Sequence, residues 1–254
     1  MDQQNKTALV TGASRGIGRA TALALAATGA HVLVHYGRSA QEAQSLVESI
    51  HSKGGLADAI KADLGTPEGA TLLAKEVRSI VGDRLDVLVL NAGVSKAATI
   101  KDHTMEDFDN LFATNVRSPF FLVQQLLPIL GEGSNIIVIS SIGAHAVVGK
   151  PGLDNPSILA YASTKGALET LVRNWAAILG PRSIRVNAVA PGVIDTDMSN
   201  LTKTEAGREM TLGMQALKRI GKPEDVADVV AFLASEAARW ITGASIPVDG
   251  GSKL

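Results

Sequence analysis

Thr7-Ala8-Leu9-Val10-Thr11-Gly12-Ala13-Ser14-Arg15-Gly16-Ile17-Gly18-Arg19 is a short apolar run that breaks into a glycine-rich turn and then opens a helical pattern over residues 16–28. Glycine admits positive φ and close backbone approach. The first turn of a helix carries unpaired N–H groups and the positive end of its dipole. A strand, a glycine turn and a helix in that order make a cradle for a pyrophosphate, with Gly12, Ser14, Arg15, Gly16, Ile17 and Gly18 as its candidate residues. The spacing is G-x-x-x-G-x-G rather than G-x-G-x-x-G, and the pattern G-x-x-x-x-G-K-[ST] does not occur.

Outward from this turn, β-branched runs alternate with longer helical stretches. Strands are expected at 7–11, 31–36, 56–61, 87–91, 135–140, 184–190 and 245–248, and helices at 16–28, 39–53, 67–81, 104–130, 160–179 and 223–235. Near-continuous apolar strands such as Val87-Leu88-Val89-Leu90 and Ile136-Ile137-Val138-Ile139 suit a sheet covered on both faces. The alternation predicts an α/β chain of one domain, a doubly wound, Rossmann-like parallel sheet of about seven strands with helices on both faces. Such sheets bind ligands at the carboxyl ends of their strands. The 254 residues are 46% hydrophobic and 19% charged, which excludes a disordered chain. With 24 Lys+Arg against 25 Asp+Glu the net charge is −1, so no field draws nucleic acid or a lipid surface. Cysteine is absent, which removes disulfides, thiolate catalysis and thiolate-bound metals. The first six residues lack the apolar core of a secretory signal, and the richest apolar stretch, 20–34, is broken by Thr28, Gly29 and His31.

The second strand ends in His35-Tyr36-Gly37-Arg38-Ser39, with no acid before Glu42. An Asp or Glu about 20 residues past the turn commonly meets a free ribose 2′-OH, whereas a 2′-phosphate calls for arginine. Arg15 and Arg38, with Ser14 and Ser39 as hydroxyl donors, predict NADP(H) as the cofactor. Further along, Tyr161-Ala162-Ser163-Thr164-Lys165 opens a helix and puts Tyr161 and Lys165 on one face. A phenol near pKa 10 serves as an acid–base at neutral pH once a nearby ammonium stabilises the phenolate. Ser140-Ser141 ends an apolar strand at the sheet's carboxyl edge, and Asn115 lies inside the long helical pattern at 104–130.

Together, Thr11 to Gly18, Asn91-Ala92-Gly93, Ser141, Tyr161-x-x-x-Lys165, Pro191-Gly192, Ile241-Thr242-Gly243 and Val248-Asp249-Gly250-Gly251 resemble the short-chain dehydrogenase/reductase family, in order and nearly end to end. Within it, the chain is most similar to the 3-oxoacyl-carrier-protein-reductase-like branch. The resemblance implies catalytic roles for Asn115, Ser141, Tyr161 and Lys165. Tyr161 would exchange a proton with a carbonyl or alcohol oxygen. Lys165 would lower the Tyr161 pKa and bind the nicotinamide ribose. Ser141 would hold the substrate oxygen, and Asn115 would hold a relay water. Asn91, Ala92 and Gly93 would line the adenine-side ribose, with Asp63 and Leu64 at the adenine and Tyr36 beside Arg38. Pro191, Gly192, Val193, Ile194 and Thr196 would pack by the nicotinamide. The activity implied is interconversion of a ketone or 3-oxoacyl carbonyl with a secondary alcohol on a small-molecule substrate, in a cytoplasmic homotetramer. Two other readings share the cofactor turn: an epimerase or dehydratase, and a non-catalytic sensor or scaffold. The short C-terminal part counts against the first, and retention of all four catalytic residues counts against the second.

The sequence departs from the family in two places. Ser141 and Tyr161 are separated by 19 residues, more than the family commonly has, and the excess lies around the turn-rich Gly149-Lys150-Pro151-Gly152-Leu153-Asp154-Asn155-Pro156. Acyl-carrier docking looks to basic residues on the long helices. Arg173 and Arg182 could serve, but the segment after Leu130 reads Gly-Glu-Gly-Ser. Residues 195–216 are expected to form a lid over the pocket. His145 is read as a loop histidine with no ligand, and no carboxylate accompanies His31 and His35 at zinc-site spacing. The terminal Ser252-Lys253-Leu254 can also be read as a peroxisomal address.

Overall fold

Every residue of Leu85–Leu90 is buried, and successive side chains serve opposite cores: Leu88 and Leu90 face one, Val87 and Val89 the other. Alternation into two apolar layers is what a strand covered on both faces requires. The computed structural model, which describes residues 3–148, 152–199 and 201–252, extends this pattern to a sheet of seven parallel strands. They are β1 (Thr7–Val10), β2 (His31–Tyr36), β3 (Leu56–Lys61), β4 (Leu85–Leu90), β5 (Leu130–Ile139), β6 (Arg185–Pro191) and β7 (Ser245–Val248), in the order β3-β2-β1-β4-β5-β6-β7. The chain winds outward from β1 in one direction and from β4 in the other, so the crevice between those two strands is the topological switch point.

One face carries α1 (Gly16–Ala27), α2 (Ala40–His51) and, later in the chain, a helix at Pro223–Ala234; their Leu25, Leu46, Ile50, Val226 and Val230 close over Val10, Val34 and Val89. The other face carries α3 (Gly69–Val81), α5 (Ser118–Leu126) and α6 (Leu159–Leu179), whose Leu73, Leu122, Leu126, Leu168 and Val172 cover Leu9, Leu88 and Ile136. Each such fully buried side chain contributes about 1.5–3 kcal/mol from loss of contact with water.

All seven expected strands are present, but three elements differ from the sequence reading. The helix expected over 104–130 is three pieces: α4 (Met105–Phe112), a π-turn at Ala113–Arg117, and α5. Strand β5 starts at Leu130 rather than 135, because Ser134 Oγ accepts from Gly131 N at 3.1 Å and donates to Leu85 O at 2.8 Å, holding a glycine-rich stretch against β4. Within the expected lid, α7 (Glu205–Met214) is a regular helix whose N-cap Thr204 accepts from Gly207 N at 3.2 Å, followed by α8 (Pro223–Ala234).

Candidate active site

Two side chains tie the switch point together. Thr11 Oγ1, at the end of β1, accepts from Asn91 N and Ala92 N at 2.9 Å each, and Asn91 Nδ2 donates to Thr11 O at 2.8 Å and Gly12 O at 3.1 Å. Asn91 therefore braces the floor of the crevice as well as lining it. Above this knot lies a cleft of about 680 Å³. Gly12, Ser14, Arg15, Gly16, Ile17 and Gly18 line it from the first turn, and Asn91, Ala92 and Gly93 from the end of β4. Gly12 and Gly16 have φ of +63° and +54°, and a Cβ on Gly18 would collide with Gly12 O and stand 2.5 Å from Asn91 Nδ2. The turn lies close against its neighbours because these positions lack side chains.

His35, absent from the expected site, is a missed member of it. It is buried on β2; its Nδ1 accepts from Gly12 N at 3.0 Å, and its Nε2 donates to Ala62 O at 3.1 Å. Burial holds this imidazole down at about 4, against the hydrogen bond to Ala62 and the charge of Asp63, so it stays neutral and keeps the tautomer that accepts from the turn. A lone polar residue inside an apolar strand was the available signal. Arg15, exposed Arg38 and Ser39 line one end of the cleft with Asp63 and Leu64. Arg15 Nη1 lies 3.9 Å from Asp197 on the opposite lip. Tyr36 is a correction: it packs against the core on the α1 and α2 side and is not among the cleft-lining residues.

The other end of the cleft is bounded by Ser141, Tyr161 and Lys165, with Pro191, Gly192, Val193, Ile194 and Thr196 from the end of β6. Ser141 Oγ lies beside the Tyr161 phenol and accepts from Gly143 N at 3.0 Å, as N-cap of the turn Ile142–Ala144. Ser140 instead donates to Glu169 Oε1 at 2.8 Å. Lys165 Nζ lies 5.5 Å from the Tyr161 ring centre and donates to Ile139 O at 2.6 Å. Asn115, at the middle of the π-turn, is 1% exposed and lies behind the cleft rather than in it. Its Oδ1 accepts from Val94 N at 2.9 Å, and its Nδ2 donates to Val94 O at 2.9 Å and Thr164 Oγ1 at 3.1 Å. The π-turn swings this amide inward to pin the loop after β4 onto α6, a placement that a regular 3.6-residue period does not produce.

Burial pushes the Tyr161 phenol up to about 12, opposed by the Ser141 hydroxyl, and pulls the Lys165 ammonium down to about 8. Desolvation thus outweighs the lowering that the Ser141 hydroxyl exerts on the Tyr161 phenol. His145 is paired with Glu169 at 2.7 Å, and His31 with Asp58 at 2.7 Å. Among the described residues no cluster of three or more His, Asp or Glu could hold a metal. No helix there is long and apolar enough to cross a membrane. In the excess loop before Tyr161, the residues at 149–151 lie outside the described residues. The rest is tied back by backbone hydrogen bonds between Ala98 and Ser157 and by Lys101 to Asp154 at 2.6 Å.

A doubly wound sheet with a glycine-lined switch-point cleft that ends on a Ser, Tyr and Lys cluster defines an oxidoreductase of the nicotinamide-dinucleotide class. The chain belongs to the short-chain dehydrogenase/reductase family: the model described as Enoyl-(Acyl carrier protein) reductase matches residues 12–253. Versicolorin reductase 1 of Aspergillus parasiticus is 42% identical over 97% of this chain and 96% of its own. A probable tetrahydroxynaphthalene reductase of Zymoseptoria tritici is 40% identical over 96% and 93%. Among solved structures, the angucycline C-6 ketoreductase LanV with bound NADP superposes at a TM-score of 0.91, with 42% identity over 100% of this chain and 97% of that one.

Proposed function

We propose that the chain is an NADP(H)-dependent ketone reductase whose substrate is a flat, largely apolar molecule carrying a ring ketone. The observation that carries this is the convergence of Ser141 and Lys165 on the Tyr161 phenol at one end of a cleft whose other end presents Arg15 and Arg38. The residues present fit the cofactor: the glycine cradle leaves room for a pyrophosphate, and two arginines with Ser14 and Ser39 supply a 2′-phosphate site with no acid in the corresponding position. When bound, NADPH supplies the hydride to the carbonyl carbon. Ser141 Oγ donates to the carbonyl oxygen and stabilises the charge that grows on it, while Tyr161 passes its proton to that same oxygen. Lys165, an ammonium beside the phenol, holds the nicotinamide ribose and favours the phenolate left after transfer. One lone pair of Asn115 Oδ1 remains for the relay water that would reprotonate the site.

The substrate class rests on the apolar wall beyond Tyr161, built by Ile142, Val148, Ile158, Met198 and Leu201, and on relatives named for multi-ring substrates. An acyl-carrier substrate fits less well. Arg182 is committed to Leu127 O at 3.1 Å and Leu130 O at 2.6 Å, so it offers little to a carrier. The exposed Phe121 and Ile178 on α5 and α6 support assembly into a homotetramer, read from solution mass. The cytoplasm is the favoured location; the alternative peroxisomal tail falls mostly outside the described residues. Purified protein is to be offered NADPH or NADH with cyclic aromatic ketones, acyclic ketones and 3-oxoacyl thioesters. The reading expects NADPH consumption fastest with the aromatic ring ketones. Preference for NADH or for thioesters would overturn it.

A further inference from the structure

The Glu169 carboxylate is a buried charge for which the reaction above has no use. It lies on α6, 4% exposed, on the helix that also carries Tyr161 and Lys165. At spacings of four and eight residues it shares their face. Its Oε1 accepts from Ser140 Oγ at 2.8 Å and from Ser245 Oγ at 2.9 Å, and His145 Nε2 donates to Oε2 at 2.7 Å. Among the described residues no lysine or arginine forms an ion pair with it; the half-exposed His145 imidazole donates to it instead. Taking a carboxylate out of water is costly, so a bland core position would favour leucine or glutamine.

Two of its three partners bracket Ser141. Ser140 precedes it at the tip of β5, and His145 closes the single turn that Ser141 caps. One carboxylate on the tyrosine's helix therefore grips both ends of the segment that presents the serine. Lys165 makes a second tie one turn earlier, to Ile139 O. The third partner, Ser245, sits on β7 and bears on neither end of that segment.

We propose that Glu169 is a positioning residue for the reduction: through Ser140 and His145 it sets the placement of Ser141 Oγ against the Tyr161 phenol. This rests on the reading of Ser141 and Tyr161 as joint holders of the carbonyl oxygen. Displacements on the order of 1 Å at a reacting centre cost up to about a hundredfold in rate.

The test compares Glu169→Gln, His145→Gln, Ser245→Ala and Ser141→Ala in NADPH-coupled ketone reduction, with NADPH affinity measured by its fluorescence and Tm by calorimetry. The proposal expects Glu169→Gln and His145→Gln each to lower kcat about tenfold or more while KM and NADPH affinity stay within about twofold. Ser245→Ala, which also removes a hydrogen bond to Glu169, should lower Tm and leave kcat near wild type. Should Glu169→Gln fail to fold, His145→Gln, altered at a half-exposed side chain, carries the same comparison. Wild-type kcat in Glu169→Gln or His145→Gln, or an equal loss in Ser245→Ala, overturns the proposal while a dead Ser141→Ala keeps the reading of the site. A fully active Ser141→Ala overturns both.

Discussion

Lys165 is only 4% exposed and has one hydrogen-bond acceptor, Ile139 O, so its charge is held at a cost. Its native pKa of about 8 lies below the 10.5 of the unfolded chain. Between those values the unfolded state binds more protons, so this residue makes stability rise with pH from about 8 to 10.5, and below 8 the full penalty is present. Lys165→Met should therefore raise Tm at pH 7 while abolishing turnover, with the gain shrinking toward pH 10. Equal or lower Tm at pH 7 would contradict this. Tyr161 works in the opposite sense: raised to about 12 from 10, it makes stability fall as pH climbs through that window. At the exposed end, Arg38→Ala should raise KM for NADPH about tenfold and leave KM for NADH within about twofold, because a 2′-phosphate is the group it would meet. These residues were legible from chemistry and spacing. Tyr36 was misplaced because strand alternation turns it to the face opposite His35, whose side chain meets the turn. Glu169 left no trace in the sequence beyond its helix position, since its partners come from β5, the turn after Ser141 and β7.

At the scale of elements, the phosphate turn depends on contacts made by a different strand. His35 accepts from Gly12 N only while neutral, and its native value of about 4 lies below the 6.5 of the unfolded chain. The unfolded state takes up the proton first, so stability from this residue is lost as pH falls from 6.5 toward 4. NADPH affinity should hold through most of that window and weaken only near pH 4, where the folded ring itself takes up a proton and can no longer accept from the turn. Urea midpoints and NADPH titrations from pH 7 to pH 4 should show both declines in wild type and a flatter stability curve in His35→Gln. Parallel curves would count against the account. Gly18→Ala should abolish NADPH binding, because its Cβ would overlap Gly12 O; retained affinity would show a looser turn. Strand existence was legible because both-face burial writes itself as unbroken apolar runs. The π-turn was not, because a single added residue leaves the helical pattern at 104–130 looking continuous while rotating Asn115 inward. Helix α7 escaped notice because its mixed apolar and charged residues keep no strict period.

For the whole molecule, the order of the sheet places the two ends of one cleft on elements from across the chain, from Gly12 to Thr196. A ligand that spans them binds the folded state alone, so NADPH at about 100 times its Kd should add roughly 2.7 kcal/mol of stability. The fold class followed from strand and helix alternation, and the family from motifs spread over nearly the full length. The shape of the substrate wall did not follow, because it is assembled from Ile142, Val148, Ile158 and Met198, whose spacing carries no pattern. The measurement that bears most directly on the account is single-turnover reduction of an aromatic ring ketone by NADPH-loaded wild type and Tyr161→Phe. The account predicts ready reduction by wild type and a rate lower by about 10²–10⁴ in the variant, with NADPH affinity unchanged. A variant that reduces the ketone as fast as wild type would contradict it.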